Sequence, residues 1–224
     1  FLLNILKKNA KNIIIISEKK NNSLFLLSKK FDLFYIEHKK NVGGRYSVLS
    51  EVGILPAYLM GLNIFKIRSK IKDSFDKKNK FFIKESTTKL ASLMNTKKFN
   101  NLVLLNYCPE LDKFLFWCQQ LLAESLGKKS KGFLPSVSSA PKDHHSLLQL
   151  YLDGPKDKIF NIFSLEKKSN LKINLSKNKN ISSYLNNKKL NKIKISQKNA
   201  LIKAFEKKKI PYREFRIKII NEEI

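Results

Sequence analysis

Residues 102–137 read LVLLNYCPELDKFLFWCQQLLAESLGKKSKGFLPSV, and their pattern indicates the fold class. A short apolar run at 102–106 predicts a buried strand, and a helical periodicity follows over 110–126. A second short run at 133–137 predicts another strand. A strand, a helix and a strand at this spacing are typical of a parallel sheet with a helical crossover.

The same alternation continues on both sides of this stretch, so the sequence predicts the α/β class with a division near residues 80–100. A nearly all-apolar segment that ends at Gly61 carries one charge, Glu51, and predicts a buried helix. Residues 62–75 and 82–94 predict two helices joined by a lysine-rich loop. The other predicted strands are 12–17, 33–37, 159–165 and 212–220, and the other predicted helices are 23–31, 144–152 and 197–208.

The two ends and one internal segment are less regular. Residues 1–10 have the pattern of the end of a helix, and 167–187, rich in Lys, Asn and Ser, predicts a variable or flexible surface segment. The sequence starts inside an apolar helical pattern at Phe1, without a methionine. We therefore expect both ends to be interior to a longer protein.

Charge is the most unusual property of the composition. Lysine and arginine total 45 against 18 acidic residues, a formal net charge of +27. Proteins that read phosphates and bases rely on arginine, whereas lysine here is scattered along the chain with asparagine and isoleucine, a pattern that a biased genome explains. We therefore expect no nucleic-acid partner, although the charge attracts anionic substrates. The arginines are Arg45, Arg68, Arg213 and Arg216.

Metal, redox and membrane functions have no support in the sequence. Cys108 and Cys118 match no zinc or thiol-redox spacing, and His38, His144 and His145 have no ligand-like spacing to them. No apolar run reaches the roughly 18 residues of a membrane span. We expect no metal, no cofactor, no membrane partner and a reducing, cytoplasmic compartment.

The motif VGGRYS at 42–47 is the first candidate site. Gly43 and Gly44 let the backbone approach a ligand closely. A helix that begins after them directs free N–H groups at an anion, and Arg45 adds a fixed cation. A tight turn with a surface arginine is the alternative, which the motif alone leaves open.

Gln120 and Glu124 form the second candidate site. They lie about one helical turn apart, opposite the apolar side of the predicted helix, and Phe116, Trp117 and Ala123 lie near them. This arrangement predicts a second covered face. A carboxylate in partly apolar surroundings has a raised pKa and can act as a general base. An exposed Gln–Glu pair is the alternative.

The motif DHHS at 143–146 is the third candidate site. Asp143 predicts a helix N-cap, which places His145 in the first turn. The helix dipole there disfavours the imidazolium, and a neutral imidazole can give or take a proton. The alternative is that His144 and His145 are two solvated histidines.

Together these segments resemble the phosphoglucose isomerase family, in its shorter bacterial type. Three signatures occur in the family's order and at compatible spacings. They are VGGRYS at 42–47, QQ at 119–120 with ESLGK at 124–128, and HS at 145–146 with QLY at 149–151 and DGP at 153–155. The resemblance implies two sugar-isomerase domains, each a three-layer α/β sandwich with a mainly parallel sheet. Residues 1–80 are then the C-terminal part of the first domain, and 81–224 are the second, truncated at its C-terminus.

The resemblance also implies an activity, the interconversion of glucose 6-phosphate and fructose 6-phosphate through an enediolate, without metal or cofactor. Glu124 matches the base that moves the proton between C1 and C2, and Arg45 matches the residue that stabilises the enediolate. His145 matches the residue that assists ring opening in the neighbouring subunit, so a homodimer is implied. Gly44 and Gln120 match positions that contact the hexose 6-phosphate.

Three departures accompany this resemblance. Ser and Thr are absent from residues 1–16, so the family's phosphate-binding loop is not in the chain, and neither is its late catalytic lysine in a Pro-Gly-Val-Glu-like context. His144 stands where relatives often carry Gln. We expect the 224-residue chain alone to be inactive or nearly so. Two other functions stay open: a regulatory sugar-phosphate-binding domain, and a basic nucleic-acid-binding protein.

Overall fold

The chain forms two compact units that divide between Asp76 and Lys77. Half of the predicted helix end at 1–10 and most of the predicted surface segment at 167–187 lie outside the described residues. The computed structural model describes residues 4–5, 8–166, 171–174 and 185–221.

The first unit begins with a β-α-β motif. Strands β1 (Ile14–Ser17) and β2 (Phe34–Glu37) are parallel, and helix α1 (Ser23–Phe31) connects them. Asn22 starts α1 because its Oδ1 accepts a hydrogen bond from the N–H of Phe25 at 2.9 Å. The strands and the helix predicted for this part of the sequence are confirmed.

Two further helices follow in the first unit, α2 (Glu51–Leu59) and α3 (Ile64–Asp73). The segment predicted as a buried helix contains α2, but no residue of α2 is buried. Tyr58 and Leu59 are 62% and 68% exposed. The prediction of burial is wrong for this chain, because an apolar sequence specifies what a helix can bury and not which element lies against it.

The second unit begins with helix α4 (Lys77–Asn95). Its first turn, KKNK, occupies the position where the sequence predicts a lysine-rich loop. Lysine has a high helix propensity, and no glycine or proline interrupts this stretch, so the helix forms through it. The break from the preceding helix is limited to residues 74–76.

A four-stranded parallel sheet lies at the centre of the second unit, with the strand order β4-β3-β5-β6. Each pair of consecutive strands is connected through a helix, as the strand and helix patterns predict. The elements are β3 (Asn101–Asn106), α5 (Asp112–Leu126), β4 (Leu134–Ser139), α6 (Lys142–Asp153), β5 (Lys158–Leu165), α7 (Leu190–Lys207) and β6 (Tyr212–Ile217).

Strand β3 explains the three layers, because successive side chains of a strand point to opposite faces of the sheet. Val103 and Leu105 pack with residues of α6 and α7, whereas Leu102 and Leu104 pack with residues of α4 and α5. All four side chains are almost completely buried. The predicted three-layer α/β sandwich with a parallel sheet is therefore confirmed.

Aromatic rings form the centre of the layer between the sheet and helices α6 and α7. The ring of Phe160 is fully buried and lies 4.9 Å from the ring of Tyr151 and 4.6 Å from the ring of Phe205, between centroids. Tyr151 belongs to α6 and Phe205 to α7, so Phe160 of β5 joins both helices to the sheet.

Candidate active site

Helix α5 carries two of the predicted site residues, and the sheet fixes its inner face. Leu115 is fully buried, and Cys118 and Leu122 pack against the sheet. The Nε2 of Gln119 donates a hydrogen bond to the carbonyl of Pro135, the second residue of β4, at 2.8 Å. This contact places the middle of α5 beside the amino end of β4.

Gln120 and Glu124 lie together on the outer face of α5, where the Nε2 of Gln120 donates to Oε1 of Glu124 at 2.9 Å. Both residues are exposed, and so are Phe116 and Ala123. The prediction of a second covered face is therefore wrong for this chain. The apolar side chains beside the pair do not bury it, so the expected desolvation of Glu124 is absent among the described residues.

The first turn of α6 is fixed on the end of β4 by Asp143. Its Oδ2 accepts hydrogen bonds from the Oγ of Ser138 at 2.9 Å and from the N–H of Ser139 at 2.8 Å. The N-cap of α6 is Pro141, so the prediction of Asp143 as N-cap is wrong. The carboxylate instead accepts hydrogen bonds from the end of β4, the strand that precedes the helix. His145 is the fourth residue of α6 and is exposed.

His144 points inward, next to the exposed His145. Its Nε2 lies 2.7 Å from the hydroxyl of Tyr107, and the two rings meet edge to face with 5.6 Å between centroids. Burial lowers the pKa of His144, which keeps its imidazole neutral near pH 7. The sequence predicts a neutral imidazole for His145 and not for His144. The inward position of His144 has a signal in the sequence, the helical spacing of 144, 147, 148 and 151, which places this side chain on the inner face of α6.

The Gly-Gly-Arg segment begins a six-residue 3-10 helix, Gly44–Leu49, with Gly43 as its N-cap. The expected α-helix starts at Glu51 and not directly after the glycines. The N–H groups that follow the glycines therefore belong to a short 3-10 helix. Gly44 is exposed, and Arg45 is half-buried with its guanidinium 5.1 Å from the ring centroid of Tyr46.

A hydrogen bond and a close contact between backbone segments hold the turn that follows Arg45. The Oγ of Ser47 donates to the carbonyl of Gly44 at 2.6 Å, and Ser47 itself is buried. A Cβ atom at Gly53 would lie 2.0 Å from the carbonyl oxygen of Val48, so only glycine fits where α2 packs against this turn. The segment that carries Arg45 is therefore held by its own hydrogen bonds and by the start of α2.

Glu124 and His145 lie near opposite ends of strand β4 and on opposite faces of the sheet. Gln119, little more than one turn before Glu124, contacts the amino end of β4, whereas Asp143, two residues before His145, contacts its carboxyl end. Pro135 and Ser139 are four residues apart, so these two contacts lie about 13 Å from each other along the strand. Because α5 and α6 also cover opposite faces, one copy of the chain cannot bring the two side chains into one site.

Gly44 and Arg45 lie in the first unit, and Gln120, Glu124 and His145 lie in the second. The approach of Arg45 to Glu124 therefore stays a prediction. The roles that the resemblance implies for all five residues stay predictions as well.

Other chemistry is sparse in the part of the chain that the structure describes. No group of three His, Cys, Asp or Glu side chains there is placed to hold a metal ion. Cys108 and Cys118 are free thiols, and burial raises the pKa of Cys108 to about 12. In the described part of the chain, no helix combines the length and the apolar character that crossing a membrane requires.

No protein-family model matches the chain. The chain is 38% identical over 145 residues to the glucose-6-phosphate isomerase of Methanocaldococcus jannaschii, a match that covers 61% of this chain and 35% of that relative. It is 36% identical over 194 residues to the probable glucose-6-phosphate isomerase of Methanococcus maripaludis, covering 81% and 43%. The glucose-6-phosphate isomerase of Mycoplasmopsis pulmonis is 32% identical over 207 residues, covering 90% and 48%.

Among solved structures, the hypothetical protein TT0462 from Thermus thermophilus has the same fold, with a TM-score of 0.78 at 22% identity over 96% of this chain and 55% of that chain. The fold is of the α/β class, and the named relatives define a family of isomerases. Within that class, the chain belongs to the glucose-6-phosphate isomerase family. It spans between 35% and 48% of the length of these three relatives.

Proposed function

We propose that the chain forms part of an aldose–ketose isomerase that interconverts glucose 6-phosphate and fructose 6-phosphate. One observation carries the proposal, the identity to proteins of that name over the region of the candidate site. The match to the Mycoplasmopsis pulmonis relative covers 90% of the chain, so it includes residues 44–145. The proposed enzyme acts in the cytoplasm, as a step of glycolysis and gluconeogenesis.

The proposed mechanism needs few chemical groups. The sugar ring opens first, with His145 passing a proton. Glu124 then takes the proton from C2 of the open-chain aldose and returns it at C1, a transfer over one atom that suits a single carboxylate, while the hydroxyl proton of O2 passes to O1. Arg45 stabilises the enediolate that forms between these two steps, and a preorganised cation contributes several kcal/mol to such a charge. Gly44 and Gln120 contact the substrate.

The proposed enzyme is a homodimer in which His145 enters the active site of the neighbouring subunit. The placement of Glu124 and His145 near opposite ends of β4, on opposite faces of the sheet, supports this arrangement. A site that contains both side chains then needs two copies of the chain. The exposed pair of Gln120 and Glu124 supports it as well, because an exposed carboxylate gains a desolvated setting when another surface closes over it.

No step of the proposed mechanism requires a metal or an organic cofactor, because the proton transfer is completed by side chains. The net charge of +27 supports an anionic substrate. A strongly positive protein attracts sugar phosphates at low ionic strength, so KM is expected to rise with salt.

The test of this proposal uses the full-length protein that contains residues 1–224. It should convert fructose 6-phosphate to glucose 6-phosphate in a coupled dehydrogenase assay, equally with and without EDTA. The 224-residue chain alone serves as the comparison and is expected to show little or no turnover. Calorimetric binding of fructose 6-phosphate without turnover would favour the regulatory domain, and steeply salt-dependent DNA binding without turnover would favour the nucleic-acid-binding protein.

A further inference from the structure

His38 clamps the loop that carries the Gly-Gly-Arg segment. It is the first residue after β2, and both of its ring nitrogens are occupied. Nδ1 contacts Oε1 of Glu51, the first residue of α2, and Nε2 lies 2.8 Å from the carbonyl oxygen of Val42. The side chains of His38 and Glu51 are only 15% and 24% exposed. One imidazole therefore joins the end of β2 to both sides of the loop.

The two partners of this ring determine its protonation state. A carboxylate and a backbone carbonyl can only accept hydrogen bonds, so both ring nitrogens of His38 must donate. A neutral imidazole has one N–H and would direct a lone pair at one of the two oxygens. The geometry therefore requires the imidazolium form of His38.

The electrostatic surroundings agree with that form. The hydrogen bond to Glu51 and then the one to Val42 raise the pKa of His38, against the effect of burial. The pKa of Glu51 is lowered, first by a hydrogen bond from its own backbone N–H at the start of α2 and then by His38. Glu18 is the other carboxylate that faces the ring, and it adds a weaker attraction while it pairs with Lys20.

The clamp acts on the residues that present Arg45. His38 binds the carbonyl of Val42, the residue before the two glycines, and the Oγ of Ser47 donates to the carbonyl of Gly44, the second glycine. We propose that His38, held by Glu51, is a positioning residue. Its imidazolium fixes the backbone from Val42 to Gly44 and thereby the direction of Arg45. The catalytic consequence depends on the proposed function, in which Arg45 stabilises the enediolate.

The sign of the pH dependence follows from the raised pKa of His38. The clamp is complete below the ordinary histidine pKa of about 6.5. It is lost as the pH rises through the higher pKa of the folded state, when one of the two hydrogen bonds breaks. Glu51 stays ionised throughout this range because its pKa is lowered. We therefore expect an alkaline limb in kcat/KM that follows the titration of His38.

The experiment compares the full-length wild type with His38→Gln, Glu51→Gln and the control Glu18→Gln. NMR follows the His38 ring and the Gly43 and Gly44 amides between pH 5.5 and 9, and kinetics follow kcat/KM for fructose 6-phosphate. In the wild type, the ring, both amides and the alkaline limb should share one pKa above about 6.5. Glu51→Gln should lower that pKa in all of them. Glu18→Gln should leave the kinetics nearly unchanged.

The variant His38→Gln should lose the alkaline limb and lower kcat/KM at pH 6.5 about tenfold. Its two N–H donors are on a single nitrogen, which cannot replace two ring nitrogens directed at separate oxygens, so Arg45 is misplaced. The proposal is overturned if His38 titrates at or below the ordinary value. It is also overturned if the ring titrates but the amide shifts and kcat/KM do not change with it. His38 and Glu51 would then form an ion pair with a structural role only. A wild type without turnover overturns the proposed function instead, and the shared titration of the ring and the amides then still decides the clamp.

Discussion

The substitution Glu124→Gln is expected to lower kcat for fructose 6-phosphate at least about a hundredfold, because it removes the general base. Glutamine has the same length and can still hydrogen-bond to Gln120, whose Nε2 lies 2.9 Å from Oε1 of Glu124. The amide cannot accept the proton from C1 of fructose 6-phosphate. KM should therefore change little. Steady-state kinetics of the full-length protein at neutral pH measure both constants.

The matched control for this substitution is Glu206→Gln. Glu206 lies on α7 and accepts a hydrogen bond from the hydroxyl of Tyr212 at 2.8 Å, so its replacement removes one negative charge away from the candidate site. A surface substitution of this kind costs within about 0.5 kcal/mol, and kcat should stay within about twofold. An equal loss in both variants, or a change confined to KM in Glu124→Gln, would contradict the role of Glu124 as the base.

The substitution Phe160→Ala is expected to destabilise the second unit by about 3–5 kcal/mol. Phe160 is fully buried between Tyr151 and Phe205, so the shorter side chain leaves a cavity in the layer between the sheet and helices α6 and α7. Urea unfolding of the full-length protein, followed by circular dichroism and by the fluorescence of Trp117, measures the change.

A graded variant, Phe160→Leu, controls for the size of the cavity. Leucine keeps most of the apolar volume, so the expected loss is smaller, about 1–2 kcal/mol. The two variants should unfold at clearly different urea concentrations, both below the wild type. Unfolding of Phe160→Ala at the wild-type concentration would show that this ring is not part of the core that stabilises the second unit.

Much of the fold could be predicted because its elements carry local signals. Strands β3 and β5 are covered on both faces of the sheet, so they appear as continuous apolar runs, while α5 and α6 show helical periodicity. What the sequence could not provide is the partner of an apolar face. No residue of α2 is buried and the outer face of α5 is exposed, so the burial expected for them is absent.

The candidate site was harder to predict because it depends on contacts between elements. Asp143 looks like an N-cap by sequence, but the N–H and hydroxyl groups at the end of β4 bind its carboxylate. The contact of His38 with Glu51 joins residues 13 positions apart across an irregular loop, and no periodicity marks it. The inward position of His144 did have a signal, its helical spacing to the apolar residues of α6.

In the proposed dimer, Glu124 of one chain and His145 of another serve the same active site. The most direct measurement mixes the variants Glu124→Gln and His145→Ala, refolds them together to exchange subunits, and assays fructose 6-phosphate conversion. Each variant alone should be almost inactive. The mixture should recover about a quarter of the wild-type activity, because half of the randomly formed dimers are mixed and each mixed dimer has one intact site of two. If native mass spectrometry detects mixed dimers but the mixture stays inactive, the shared site is contradicted.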